Sequence, residues 1–113
     1  MTASTALSLS TVIDEQLAAA KAGTSGRAAH TVCGGRGSAL RQAVLALTAG
    51  HGLDEHESPG EATLLVLRGR VRLSAASGAV EGVRGDYLPI PNERHSLSAL
   101  EDSAVLLTVV AGS

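Results

Sequence analysis

The sequence predicts a single small all-β domain. Apolar runs of strand length recur between breaks that contain glycine or charged turn residues, at 28–33, 40–49, 62–67, 71–75, 87–90, 95–100 and 104–110. Short strands at close spacing, with turn residues between them, are typical of a β-sandwich or β-barrel. The 113 residues are the length of one domain and leave no room for a second.

One helix is expected before the strands. Residues 1–10 are rich in Ser, Thr and Ala without a period, and they predict a flexible segment. The helix is predicted at 11–22, because Ser10 or Thr11 can cap its first turn and Gly23 can end it. The rest of the chain, through residue 113, completes the same domain.

The helix has one apolar face. Ile13, Leu17 and Ala20 recur at helical spacing, so this face is expected to pack against another element. Asp14 and Glu15 are placed in the first turn, where the helix dipole favours negative charge.

The strand at 62–67 is apolar on both faces. Both of its sides are therefore expected to be covered, one by the barrel interior and the other by the helix or by a second copy of the chain. Arg68-Gly69 predicts the hairpin turn that follows it, because glycine adopts the positive φ of such turns, and Glu101-Asp102 predicts another turn. A homodimer is expected.

Composition excludes several classes of function. The net charge of −2 argues against a nucleic-acid surface, and no run of apolar residues is long enough for a membrane span. A single cysteine cannot form an internal disulfide and suits a reducing compartment. No basic residue precedes Lys21 and no apolar signal region is present, so a cytoplasmic location is expected.

Two segments have the spacing of a paired motif. Gly50 is followed after five residues by His56, and Ser58, Ala62 and Gly69 complete the first segment. This spacing resembles the first motif of the cupin superfamily, which runs Gly, five residues, His-x-His, three or four residues, Glu, six residues, Gly. Ser58 stands where that family has its second histidine, and Ala62 stands at its glutamate.

The second segment is similar to the family's second motif, which runs Gly, five residues, Pro-x-Gly, two residues, His. Gly85 and Pro91 match, Glu93 replaces a glycine, and His95 comes one residue early. The resemblance implies a double-stranded β-helix, a jelly-roll-like barrel whose two antiparallel sheets face each other across a pocket, often in a dimer. Arg94 is expected on the face opposite His95, where it contacts solvent or a partner.

The same resemblance implies a metal site with two positions lost. Cupins of the usual type hold a divalent transition metal with three histidines and one glutamate, and only His56 and His95 are kept here. We therefore expect no tightly bound metal and no cofactor. A shifted register offers an alternative, in which Asp54, His56, Glu61 and His95 bind a divalent transition metal in an oxygenase or isomerase.

The expected ligand pocket is mostly apolar. Its predicted lining is His56, Ser58, Ala62, Leu64, Tyr87 and His95. The leading hypothesis is a metal-independent module that binds or senses a small, mostly apolar molecule. Three alternatives stay open: the metal-dependent enzyme, a metal-free enzyme with His56 or His95 as base, and a dimer-forming accessory without catalysis. The sequence does not decide whether the protein is an enzyme.

Overall fold

The computed structural model describes residues 6–57 and 60–110. This part of the chain contains one helix and nine strands: α1 (Leu9–Ala22), β1 (Arg27–Cys33), β2 (Leu40–Leu47), β3 (Gly52–His56), β4 (Ala62–Arg68), β5 (Arg70–Ala75), β6 (Gly78–Val83), β7 (Tyr87–Pro89), β8 (His95–Ala99) and β9 (Ser103–Val110). The strands form a five-stranded sheet, in the order β1-β2-β9-β4-β7, and a four-stranded sheet, in the order β3-β8-β5-β6. Neighbouring strands are antiparallel.

The two sheets face each other across an inner core. Alternate side chains of each strand point to the same face, so every second residue enters this core. The five-stranded sheet contributes Leu45, Leu47, Leu64, Val66, Leu88 and Val105, and the four-stranded sheet contributes Val71, Leu73, Leu97 and Ala99. The prediction of an all-β jelly-roll-like barrel with one N-terminal helix is confirmed.

A second core lies on the outer face of the five-stranded sheet. Val12, Ile13, Leu17 and Ala20 of α1 pack there against an outward-facing set of small side chains. That set is Val44, Ala46 and Ala104, each fully buried. Burying each large apolar side chain contributes about 1.5–3 kcal/mol, so α1 is fixed by this face rather than by its own propensity. In the described residues, no helix is long and apolar enough to cross a membrane.

The helix begins earlier than the sequence predicts. Ser8, rather than Ser10 or Thr11, is the N-cap, and its hydroxyl accepts a hydrogen bond of 3.2 Å from the Thr11 N–H. The earlier start brings Leu9 into the helix, where it packs against the outer core. Consequently the first turn contains no acidic residue, whereas Gly23 ends the helix as predicted.

The two ends of the barrel are built differently. At one end the β4–β5 turn and the β8–β9 turn are joined, because the Leu100 N–H donates to the Arg70 carbonyl at 2.8 Å and the Arg70 N–H donates to the Ser103 hydroxyl at 2.9 Å. The starts of β2, β4 and β8 and the end of β9 therefore lie at the other end, which we call the open end.

The outer face of β4 is only partly covered by the helix. Leu67 packs against the outer core, while Leu65 is half-buried and pairs with Tyr87, which is 62% exposed. The expected homodimer stays a prediction, and the Leu65–Tyr87 pair is the part of this face on which a second copy would pack.

Two strands were missing from the prediction. β3 and β6 are the edge strands of the four-stranded sheet, and most of their residues are exposed. β3 carries adjacent acidic residues and β6 carries two glycines, so neither shows an apolar run. Edge strands gain much of their stability from backbone pairing, which leaves little trace in a hydrophobic pattern.

Gly69 is the glycine on which the joined end depends most directly. Its φ is 82°, and a Cβ at this position would overlap Ser103 and the Asp102 carbonyl. We predict that Gly69→Ala destabilises the fold by about 2–5 kcal/mol, from left-handed strain plus overpacking. Gly50→Ala is the matched control, because Gly50 has a φ of 84° and open space around its Cβ.

The control should cost only the backbone strain, about 1–2 kcal/mol. Urea denaturation followed by circular dichroism measures both free energies of unfolding. Equal losses in the two variants would show that close packing at Gly69 contributes nothing.

Candidate functional site

Two histidines meet at the open end of the barrel. His56 and His95 are cross-strand partners on β3 and β8, and their rings stand edge to face with centroids 4.4 Å apart. His95 is 4% exposed and shares the inner face of β8 with Leu97, whereas His56 is exposed. The sequence prediction that these two side chains lie together is consistent with this geometry.

Each imidazole is held by the backbone two residues before it. His56 Nδ1 is 2.8 Å from the Asp54 carbonyl oxygen, and His95 Nδ1 is 2.8 Å from the Glu93 carbonyl oxygen. A carbonyl only accepts hydrogen bonds, so Nδ1 must carry the proton in both rings. Each neutral ring therefore leaves the Nε2 lone pair free. This arrangement suits a metal ligand or a general base.

Two ion pairs of Arg94 hold the end of β3 beside β8. The pairing register shifts between Leu53 and His56, and Arg94 bridges this irregular segment through Glu55 at 3.0 Å and Glu57 at 2.9 Å. These hydrogen bonds, first to Glu55 and then to Glu57, raise the pKa of the Arg94 guanidinium. The ion pairs are exposed, and the structure places Arg94 on the surface, as predicted.

Among the described residues, no third metal ligand lies near the two histidines. In residues 6–57 and 60–110, no three His, Cys, Asp or Glu side chains are grouped closely enough to hold an ion. The alternative set of Asp54, His56, Glu61 and His95 is therefore not assembled. Glu61 is exposed just before β4, and Ala62 takes the inward position at 8% exposed, because the strand alternates in the gapless register.

The remaining residues of the predicted pocket are separated. Leu64 is 2% exposed in the packed core, and Ala62 lies on the same face of β4. Tyr87 was expected in the pocket, but it is 62% exposed, while its neighbour Leu88 enters the core. The reason is alternation, since adjacent residues of β7 face opposite sides of the sheet. Ser58 lies outside the described residues.

A pocket that the sequence did not predict lies on the inner face of the five-stranded sheet. It has a volume of about 360 Å³, and its walls come from β1, β2, β9 and the glycines after β1. Thr31, Arg41, Ala43, Leu107 and Val109 line it, and Leu107 also packs against the inner core. Neither His56 nor His95 lines this pocket.

The alternation of residues along β2 is a sequence pattern that could have predicted this pocket. Arg41, Ala43, Leu45 and Leu47 alternate along β2, and the last two are core residues. The same period places Arg41 on that face at the exposed start of β2, where its charge marks the rim of the pocket.

The comparisons with known proteins agree with this architecture. The cupin superfamily protein DSY2733 from Desulfitobacterium hafniense DCB-2 superposes with a TM-score of 0.68, at 15% identity, over 76% of this chain and 78% of that one. This chain has the cupin fold. An RmlC-like cupin from Desulfovibrio desulfuricans gives a TM-score of 0.63 at 24% identity, covering 74% of this chain and 81% of that one.

A further solved structure is similar to this cupin barrel. The conserved protein SPY1581 of unknown function from Streptococcus pyogenes has a TM-score of 0.70 and 24% identity, over 80% of this chain and 79% of that one. No family model and no curated protein sequence matches the chain. At these identities the likeness establishes the fold, and function has to be argued from the site.

The hydrogen bonds of the two histidines predict one tautomer for both rings. In the neutral form of each ring, Nδ1 should be protonated and Nε2 unprotonated in His56 and His95. Long-range ¹H–¹⁵N correlation NMR of ¹⁵N-labelled protein distinguishes the two tautomers. His51 is the internal comparison, because its Nδ1 faces the Thr48 hydroxyl at 2.9 Å, which can donate or accept. Protonated Nε2 in both rings would contradict the assignment.

Proposed function

We propose that this cupin barrel is a metal-independent module that binds or senses a small, mostly apolar molecule at its open end. One observation carries the proposal: the 360 Å³ pocket on the inner face has the half-buried side chains of Ala43, Leu107 and Val109 in its walls. This volume is within the range of small-molecule sites, roughly 300–1,000 Å³. An apolar wall gains free energy when a ligand displaces water from it.

The composition of the chain supports an interior with space. The chain has no Phe and no Trp, and its one Tyr is largely exposed, so no phenyl or indole ring fills the inner face, and the only buried ring is the smaller imidazole of His95. Ala43 and Thr31 are cross-strand partners in the pocket wall, and both are small. A ligand therefore occupies volume that larger side chains fill in a solid core.

The histidine pair favours a second candidate, a metal-dependent enzyme of the oxygenase or isomerase kind. Its specific support is the pair of free Nε2 atoms, which are oriented by carbonyls in the way that ligating histidines usually are. Two nitrogen ligands make a weaker and less selective site than the three or four that catalytic metals usually have. Because the described residues add no third donor, we rank this candidate below the binding module.

We predict that a thermal-shift screen of small, mostly apolar molecules finds ligands whose binding depends on Ala43. Ala43→Phe fills the pocket with a ring and should lower ligand affinity at least about tenfold, or about 1.4 kcal/mol. Ala18→Phe is the control, because Ala18 is exposed on α1 and adds the same ring outside the pocket. Titration calorimetry of both folded variants measures the affinities.

Elemental analysis of untagged protein, purified without chelator, separates the two candidates. The binding module predicts ligand binding without stoichiometric metal. Stoichiometric transition metal, together with no hit in the screen, would reject it in favour of the enzyme.

A further inference from the structure

Arg41 brings a positive charge into the wall of the inner pocket. It pairs directly with Val109 across β2 and β9, and cross-strand partners lie on the same face of a sheet. Both residues line the pocket, with Ala43 next on that face of β2. Arg41 therefore lies at the open end of the barrel, next to the apolar wall, with an exposed side chain.

Within residues 6–57 and 60–110, no acidic side chain forms an ion pair with Arg41. In the described residues, ion pairs join Arg68 to Asp14, Arg70 and Arg72 to Glu81, and Arg94 to Glu55 and Glu57. None of these includes Arg41, and no acidic residue lines the pocket. Arg36 also lacks an ion pair within the same part of the chain, but it lies outside the pocket, so it provides a natural comparison.

Gly34 makes room for the Arg41 side chain. A Cβ at Gly34 would lie 3.2 Å from Arg41 Cα and 3.2 Å from Arg41 Cγ, tighter than ordinary packing. Gly34 also has a φ of 118°, which other residues rarely adopt. The loop after β1 thus packs closely against the first part of the arginine side chain, and Gly34 lines the same pocket.

We propose that the pocket takes a small monocarboxylate with an apolar tail, an inference that rests on the proposed binding function. Arg41 forms a two-pronged hydrogen-bonded ion pair with the carboxylate, for which the planar guanidinium is well shaped. The tail packs on Ala43, Leu107 and Val109. A single cation suits a single negative charge, and the exposed Thr31 hydroxyl adds a neutral donor at the same wall.

The test compares hexanoate with hexanamide, which keeps the tail and removes the charge, and with hexyl phosphate, which joins an alkyl tail of similar length to a phosphate. Titration calorimetry measures the binding of each to the full chain. We expect hexanoate to bind at least tenfold more tightly than hexanamide. Arg41→Gln should lower hexanoate affinity at least tenfold and leave hexanamide within twofold. Arg36→Gln, the control, should leave both within twofold.

Several results would overturn the inference. Equal binding of hexanoate and hexanamide, or unchanged hexanoate binding by Arg41→Gln, would show that the pocket does not recognise a carboxylate. The proposed binding function would then stand without this inference. Tighter binding of hexyl phosphate would change the ligand class to phosphate. If hexanoate does not bind while neutral compounds from the screen do, only the carboxylate inference is rejected. If no compound of either kind binds, the proposed function is lost with it.

Discussion

The pairing of β2 with β9 is the constraint on which the rest of the structure depends. Eight consecutive residue pairs join Leu40–Leu47 to Ser103–Val110 without a bulge. Because side chains alternate across a strand, this register decides which residues of both strands face inward. Arg41, Ala43, Leu45 and Leu47 face the second sheet, and Val44 and Ala46 face the helix. A shift of one residue would exchange the two sets.

Both cores and the candidate pocket follow from that register. Small outward side chains at positions 44, 46 and 104 allow α1 to approach the sheet closely. On the inner face, large aliphatic residues fill the joined end, and smaller ones at 31 and 43 leave space at the open end. The same strand therefore provides a packed core at one end and a ligand wall at the other.

Much of the fold could be predicted from the sequence because most strands bury one face. Ile13, Leu17 and Ala20 are buried as their spacing predicts, and Gly69 adopts the positive φ that its turn requires. β3 and β6 were missed, since an exposed edge strand needs no apolar face. The helix start was misplaced because Ser8, Ser10 and Thr11 are all good caps, and the packing of Leu9 favours the first.

The candidate site was only partly predictable. Motif spacing singled out His56 and His95. These two residues contact each other because they are cross-strand partners on β3 and β8. The pocket at Arg41 joins residues of three strands that lie up to about 80 positions apart in the chain, and no local sequence motif predicts such a contact. Tyr87 was assigned to the pocket from its distance to Gly85, although alternation along β7 turns it outward.

The central claim is that ligands bind against the inner face of the five-stranded sheet rather than between the histidines. Methyl NMR of protein labelled at Ala, Leu and Val, titrated with the strongest ligand from the screen, tests it most directly. The structure predicts the largest shift changes at Ala43, Leu107 and Val109, which line the pocket. Shift changes concentrated at Leu97 and in the His56 and His95 ring signals, with Ala43 and Leu107 unmoved, would contradict it.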